Sequence, residues 1–218
     1  METDFWKERW EKGEIGFHQN EFSPHLDRHW NKLSIADGSR IFVPMAGKSS
    51  DMLWFVRQGY SVVGVELSNI AVDTFFLENK LQYKVEECRR FRTHKSDHID
   101  LHCGDFFQLT EDDISEVSAV YDRASLIALP PSMRKQYAEY LIKILPRKVR
   151  IFLVTMEYSQ EEMGGPPFSV TKQEVESLYQ TEFDITLIET IDILDQNQRF
   201  RERGLTALRE NVYSLVRI

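Results

Sequence analysis

Strand-like and helix-like segments alternate between residues 40 and 155, and this alternation constrains the chain more than any other feature. Residues 40–44, 60–66, 99–103, 117–122 and 149–155 are short runs rich in β-branched or other apolar residues. In 49–58, 70–79 and 131–145, apolar residues recur at three- and four-residue spacings, as on one face of a helix. Ser49 or Ser50, and Ser68 or Asn69, stand where N-caps are wanted, and Pro131 falls in a first turn. This pattern predicts a mainly parallel sheet with helices on both faces.

The last third reads differently. Thr171 with Glu174 three residues on has the pattern of a capping box opening a short helix. Residues 183–191 and 211–218 alternate and are β-branched, which predicts a closing antiparallel pair and a seven-stranded sheet in all. Before residue 40 lie a helix-like stretch with Phe5, Trp6 and Trp10 and a second one over 24–33. No repeat or long linker divides the chain, so residues 1–218 are expected to form one domain.

Composition narrows the partners. The chain has 218 residues, with 27 Lys and Arg against 35 Asp and Glu, and its net charge of −8 opposes a surface built to coat nucleic acid. Cys88 and Cys103 make no disulfide framework. The first residues carry acids where a signal peptide would be basic and then apolar, and no apolar run approaches the ~20 residues of a membrane span. A soluble, monomeric, cytoplasmic protein with a small-molecule substrate is expected.

Ligands of parallel α/β sheets bind beyond the carboxyl ends of the strands. There the chain has Pro44-Met45-Ala46-Gly47-Lys48, Glu66, Gly104-Asp105-Phe106 and Asp122-Arg123. A dinucleotide turn would want three glycines where only Gly47 is present. Gly47-Lys48-Ser49 could end a phosphate-binding P-loop, but the glycine required five positions earlier is Phe42. Glu66 follows Gly47 by nineteen residues, near the ~20 at which an acid meets ribose hydroxyls. A turn poor in glycine together with a ribose-reading acid suits a ribose cofactor without phosphates, for which S-adenosylmethionine is the candidate. Its adenine would lie near residues 104–106, with Asp105 accepting from the exocyclic amine and Phe106 packing on the ring.

Trp10-Glu11-Lys12-Gly13 running into Gly16-Phe17-His18-Gln19, then Phe42-Val43-Pro44-Met45-Ala46-Gly47-Lys48, resembles the thiopurine S-methyltransferase family. So do residues 61–66, Asp122-Arg123-Ala124-Ser125-Leu126 and Gly165-Pro166-Pro167-Phe168. The likeness runs from about Trp6 to the carboxyl terminus and looks like a bacterial member. It implies a class I S-adenosylmethionine-dependent methyltransferase fold, Rossmann-like. Residues 1–39 would form a helical lid or cap, 40–155 the cofactor-binding core and 156–218 the substrate side. Trp10, Met45, Gly47, Glu66, Gly104, Asp105, Phe106 and Arg123 are the cofactor-binding set. Phe17, Arg123, Phe168 and Arg199 are the substrate-facing set. Met45 and Ala46 replace the family's usual Leu and Cys, so no thiol in that turn is given a role.

Transfer of a methyl group from a sulfonium to a thiolate is an in-line displacement that leaves alignment as the main work. No essential general base is expected; Arg123 is the catalytic candidate, lowering the pKa of the attacking thiol, and Asp122 could pair with it. Thiopurines and other aromatic thiols, or selenium and tellurium compounds, suit a pocket of rings and arginines. The sequence also keeps open a nucleotide-triphosphate enzyme and a non-catalytic cofactor-binding protein. His25 and His29 read as a solvated helical face, and His94, His98 and His102 cross a polar loop into a strand, so no metal site is expected. Residues 89–92, Arg-Arg-Phe-Arg, read as a surface loop.

Overall fold

Strands β1 (Arg40–Val43) and β2 (Ser61–Glu66) run parallel with Val43 opposite Gly64. Three valines in six residues favour an extended backbone in β2, and all but its first residue are buried. A strand hidden on both faces belongs inside a sheet. The computed structural model describes residues 3–218, and the chain divides into two units, Met1–Val120 and Tyr121–Ile218.

In the first unit helices α1 (Thr3–Glu11) and α2 (Pro24–His29) precede β1, and α3 (Asp51–Arg57) and α4 (Asn69–Glu78) flank β2 in sequence. Ser68 caps α4, its hydroxyl accepting from the Ala71 amide at 3.3 Å. Ser50 stands at the cap of α3 without a side-chain bond; the neighbouring Ser49 hydroxyl accepts from the Asp51 amide instead. Strands β3 (Lys84–Glu87), β4 (Arg92–Lys95) and β5 (Ile99–Cys103) follow, and β6 (Val117–Asp122) runs across the boundary between the units. The order is β3-β4-β5-β2-β1-β6, with β5, β2, β1 and β6 parallel and antiparallel pairings joining β3 to β4 and β4 to β5. Glu66 lies opposite Cys103, so β2 and β5 end level.

The β3–β4 hairpin is an addition to the expected strands. Its residues are polar and largely exposed, so hydrophobic alternation was absent from the sequence there. The segment read as a loop, 89–92, forms its turn and the start of β4. Phe91 is buried, and so is His94 on β4, whose Nε2 bonds Asp73 at 2.8 Å. His25 and His29 are also buried, with their rings stacked at 6.5 Å, rather than lying on a solvated face.

The second unit carries α5 (Ser125–Ala128), α6 (Pro131–Ile144), β7 (Arg150–Glu157), α7 (Lys172–Tyr179), β8 (Phe183–Asp192), α8 (Gln198–Glu202) and β9 (Arg209–Arg217). β9 pairs antiparallel with β7 on one side and β8 on the other, giving the expected antiparallel carboxyl-terminal part. Ile151 to Val154 are all buried in β7. Each such side chain contributes ~1.5–3 kcal/mol on burial, enough for that strand to anchor its unit. Thr171 caps α7 by accepting from the Glu174 amide at 3.2 Å. That closes half of the predicted capping box; the Glu174 carboxylate turns to Arg134 instead.

Candidate active site

The turn after β1 is bound to the end of β2. Ala46 donates its amide to the carbonyl of Val65 at 2.9 Å, and Gly47 donates to Oε2 of Glu66 at 2.8 Å. Oε1 of Glu66 accepts from the Ser68 amide at 2.8 Å. Met45 and Gly47 both have positive φ, +45° and +54°, so the turn is tight and a glycine suits its second left-handed position. Glu66 is 6% exposed. Burial raises its carboxyl pKa above the ordinary value, while the amides of Ser68, Gly47 and Leu67 pull the other way.

This geometry fits a ribose. A carboxylate offers about four lone-pair positions, and the Gly47 and Ser68 bonds leave room for a hydroxyl donor. It fits a triphosphate poorly. Both carboxylate oxygens of Glu78 lie 2.8 Å from the Lys48 ammonium, which is buried against α4, and the Gly47 amide is spent on Glu66.

Trp10 lies over this turn, its ring 3.5 Å from where Gly47 would carry a side chain. Its own ring meets Phe17 edge-on at 5.7 Å, Phe17 meets Trp6 at 5.4 Å, and Trp6 meets Phe5 at 5.3 Å. Trp10 is buried, Phe5 and Trp6 are partly exposed, and Phe17 is 39% exposed. The four aromatics therefore form one cluster reaching the β1 turn through Trp10, with the exposed Phe17 between Trp6 and Trp10.

On the far side of Glu66, the Gly104 amide donates to the Glu66 carbonyl at 2.9 Å. Asp105 caps a 3-10 turn over Phe106–Gln108, with Oδ1 accepting from the Phe107 amide at 3.0 Å. Phe106 is buried and Phe107 is partly exposed. The hairpin turn braces this segment. Arg90 donates to both oxygens of Asp113, at 2.6 and 3.0 Å, and to the Gln108 carbonyl at 2.8 Å. Burial works upward on Asp113, but the bonds from Arg90 and Thr110 hold its carboxyl below the ordinary range. The Phe91 ring lies 2.6 Å from where Gly104 would carry a side chain, so Gly104 is needed for packing. Cys103 is buried with its thiol 2.8 Å from Asn69 Oδ1. Burial and then the Glu66 and Asp73 charges push its pKa up to about 11.

In the second unit Asp122, buried at the end of β6, has several hydrogen-bond donors. Its carboxylate accepts from the Tyr137 hydroxyl at 2.6 Å and from the Ser125 and Leu126 amides at 3.1 and 3.3 Å. Burial raises its pKa, against those bonds. Arg123 is half-buried on the next residue. Arg199, on α8, is exposed, with its guanidinium 4.6 Å from the Phe200 ring. Partial desolvation and then the Arg203 charge press Arg199 below the ordinary arginine range.

Phe168 is partly exposed and sits on a loop closed by side-chain bonds. Tyr158 donates to the Pro167 carbonyl at 2.6 Å, and Ser169 donates to the Tyr158 carbonyl at 2.7 Å. Arg134 is the largest surprise, being 1% exposed. Desolvating such a charge costs several kcal/mol, and Glu174 meets it with both oxygens at 2.7 and 2.6 Å. Its place could have been found from spacing, since 134, 137, 138, 141 and 144 lie on one helical face and all are buried. Its charge argued for the solvent face and hid that signal.

A family model described as thiopurine S-methyltransferase matches residues 1–218. A thiopurine S-methyltransferase of Nitrosospira multiformis is 48% identical over 216 residues, covering 99% of this chain and 98% of the relative. One from Azotobacter vinelandii is 46% identical over 217 residues, covering all of both chains. Among solved structures, a SAM-dependent methyltransferase from Anabaena variabilis aligns with a TM-score of 0.67 at 13% identity, covering 99% of this chain and 95% of that one. A Burkholderia thailandensis 1,6-didemethyltoxoflavin-N1-methyltransferase aligns at 0.64 and 13% identity, covering 99% and 86%. The fold is thus that of class I methyltransferases, and the chain belongs to the thiopurine S-methyltransferase family, enzymes of S-adenosylmethionine-dependent methyl transfer.

Proposed function

We propose that this protein transfers the methyl group of S-adenosylmethionine to aromatic or heterocyclic thiols such as thiopurines, and to selenium or tellurium compounds. The observation that carries the cofactor half is Glu66, a buried carboxylate joined to the β1 turn through Gly47 and retaining acceptor capacity. Trp10, Met45, Gly47, Glu66, Gly104, Asp105, Phe106 and Arg123 would hold the cofactor. When bound, it supplies a methyl group on a cationic sulfur. Glu66 accepts the ribose hydroxyls, and the oxygen of Asp105 not used in capping takes the exocyclic amine.

Phe17, Phe168, Arg123 and Arg199 are assigned to the acceptor. The rings exclude water and orient a flat acceptor, which raises the fraction of molecules aligned for in-line attack. Arg123 favours the thiolate over the thiol by its positive charge, so no side chain need act as a strong base.

The engagement of Lys48 by Glu78 weighs against a nucleotide-triphosphate enzyme. Among the described residues no helix is long and apolar enough to cross a membrane. The net charge of −8 weighs against a surface built to coat nucleic acid and fits a small-molecule acceptor. The test is a panel of aromatic thiols, selenite and tellurite assayed with methyl-labelled cofactor. Label transfer to a thiol is expected. Cofactor binding with no transfer to any acceptor would leave a binding protein instead.

A further inference from the structure

We infer that Arg134 is a positioning residue for the acceptor, holding the Phe168 ring in one arrangement. The inference rests on the assignment of Phe168 to the acceptor proposed above. Three groups meet at this buried guanidinium. Its Nε donates to the Leu129 carbonyl at 2.9 Å, in the turn that follows α5. Its Nη1 donates to both oxygens of Glu174 on α7. Its Cζ lies 5.9 Å from the centroid of the Phe168 ring.

The remaining nitrogen, Nη2, is buried and has no hydrogen-bond partner. A buried donor left unpaired is costly, so a purely structural ion pair would be expected to satisfy it. An aromatic ring at cation–π distance compensates part of that cost and orients the ring in return. Two further contacts fix Phe168. Its amide donates to the Ile127 carbonyl of α5 at 2.7 Å, and its ring carbons come within 2.4 Å of where Gly165 would carry a side chain. α5 itself is held at its start by Asp122, the residue before Arg123. Arg134 therefore closes a circuit from the end of β6 through α5 to Phe168 and α7. Only a planar fork reaches Leu129, Glu174 and the ring at once; an ammonium does not.

The test is steady-state methylation of an aromatic thiol by wild type, Arg134→Lys, Phe168→Leu and the double variant, with S-adenosylhomocysteine affinity measured alongside. Arg134→Lys is expected to raise the acceptor KM about tenfold, leave kcat within about threefold and leave cofactor affinity within about twofold. In the Phe168→Leu background the same change should add little, because both act through one ring. A fall in kcat at unchanged KM would mean only less folded enzyme and would overturn the proposal, as would a full effect in the Phe168→Leu background. If Arg134→Lys does not fold, Glu174→Gln, which keeps one acceptor oxygen on the guanidinium, should reproduce the KM rise; an unchanged KM there overturns the proposal. Absence of thiol methylation by the wild type would instead reject the underlying assignment of function.

Discussion

The amide of Gly47 donates to Oε2 of Glu66 across 2.8 Å, so the turn after β1 cannot shift without moving the last side chain of β2. The same carboxylate takes the Ser68 amide, at the residue that caps α4. One buried acid thereby sets the positions of a turn, a strand end and a helix start. An acid fixed on two sides presents its remaining lone pairs in a defined direction, which is what recognition of a vicinal diol requires.

Cofactor affinity should depend on the charge of Glu66. Its folded pKa is raised by burial, so at falling pH it takes up a proton before an ordinary glutamate does. Affinity for S-adenosylhomocysteine is expected to fall as pH drops through that raised value. Calorimetry across this range on wild type and Glu66→Gln checks it; the slope should vanish in the variant.

Asp122 gives an opposite dependence in stability from that of an ordinary salt-bridged acid. Burial raises its folded pKa, so the native state holds the proton more tightly than the unfolded chain does. The associated stability is present below the unfolded value and is lost as pH rises from about 3.8 through the folded value. Tyr137→Phe removes the hydroxyl at 2.6 Å and should cost about 1–3 kcal/mol at neutral pH. Urea unfolding at several pH values measures both effects.

Arg123 is expected to act on the acceptor's ionisation. Arg123→Met should lower kcat/KM for an aromatic thiol near neutral pH and shift its rise to higher pH, because less thiolate forms without the cation. A pH–rate profile with two thiols of different pKa reads this; superimposable profiles for wild type and variant would remove Arg123 from that role.

The two cysteines should differ sharply in reactivity. Cys88 is exposed, whereas Cys103 is buried with its pKa pushed up to about 11. At pH 8 the thiolate form of Cys103 is on the order of one in a thousand. Alkylation of the native protein followed by mass spectrometry should find one modified cysteine, Cys88.

Much of this arrangement was legible in the residues. The valines of β2 and the alternation around them predicted parallel strands, and the spacing from Gly47 to Glu66 located the junction at the strand ends. What escaped the sequence shares a physical cause. The β3–β4 hairpin is polar on its surface and held by Arg90 and Phe91 reaching the 104–113 segment, a contact between residues far apart in sequence. Asp122 accepts from Tyr137, fifteen residues on, a partner that no local pattern marked. Arg134 was concealed because its partner Glu174 lies forty residues away, already accounted for as a helix cap. Hydrophobic period reveals faces, but it does not reveal which buried charges find each other.

The central claim is that the β1 turn and Glu66 hold an adenosine-bearing sulfonium cofactor without phosphate contacts. The most direct measurement is titration calorimetry of S-adenosylhomocysteine and of ATP into wild type and Glu66→Ala. One mole of S-adenosylhomocysteine should bind per chain, ATP should not compete, and Glu66→Ala should lose about 1–3 kcal/mol of binding free energy. Tight ATP binding, or S-adenosylhomocysteine affinity untouched by Glu66→Ala, would contradict it.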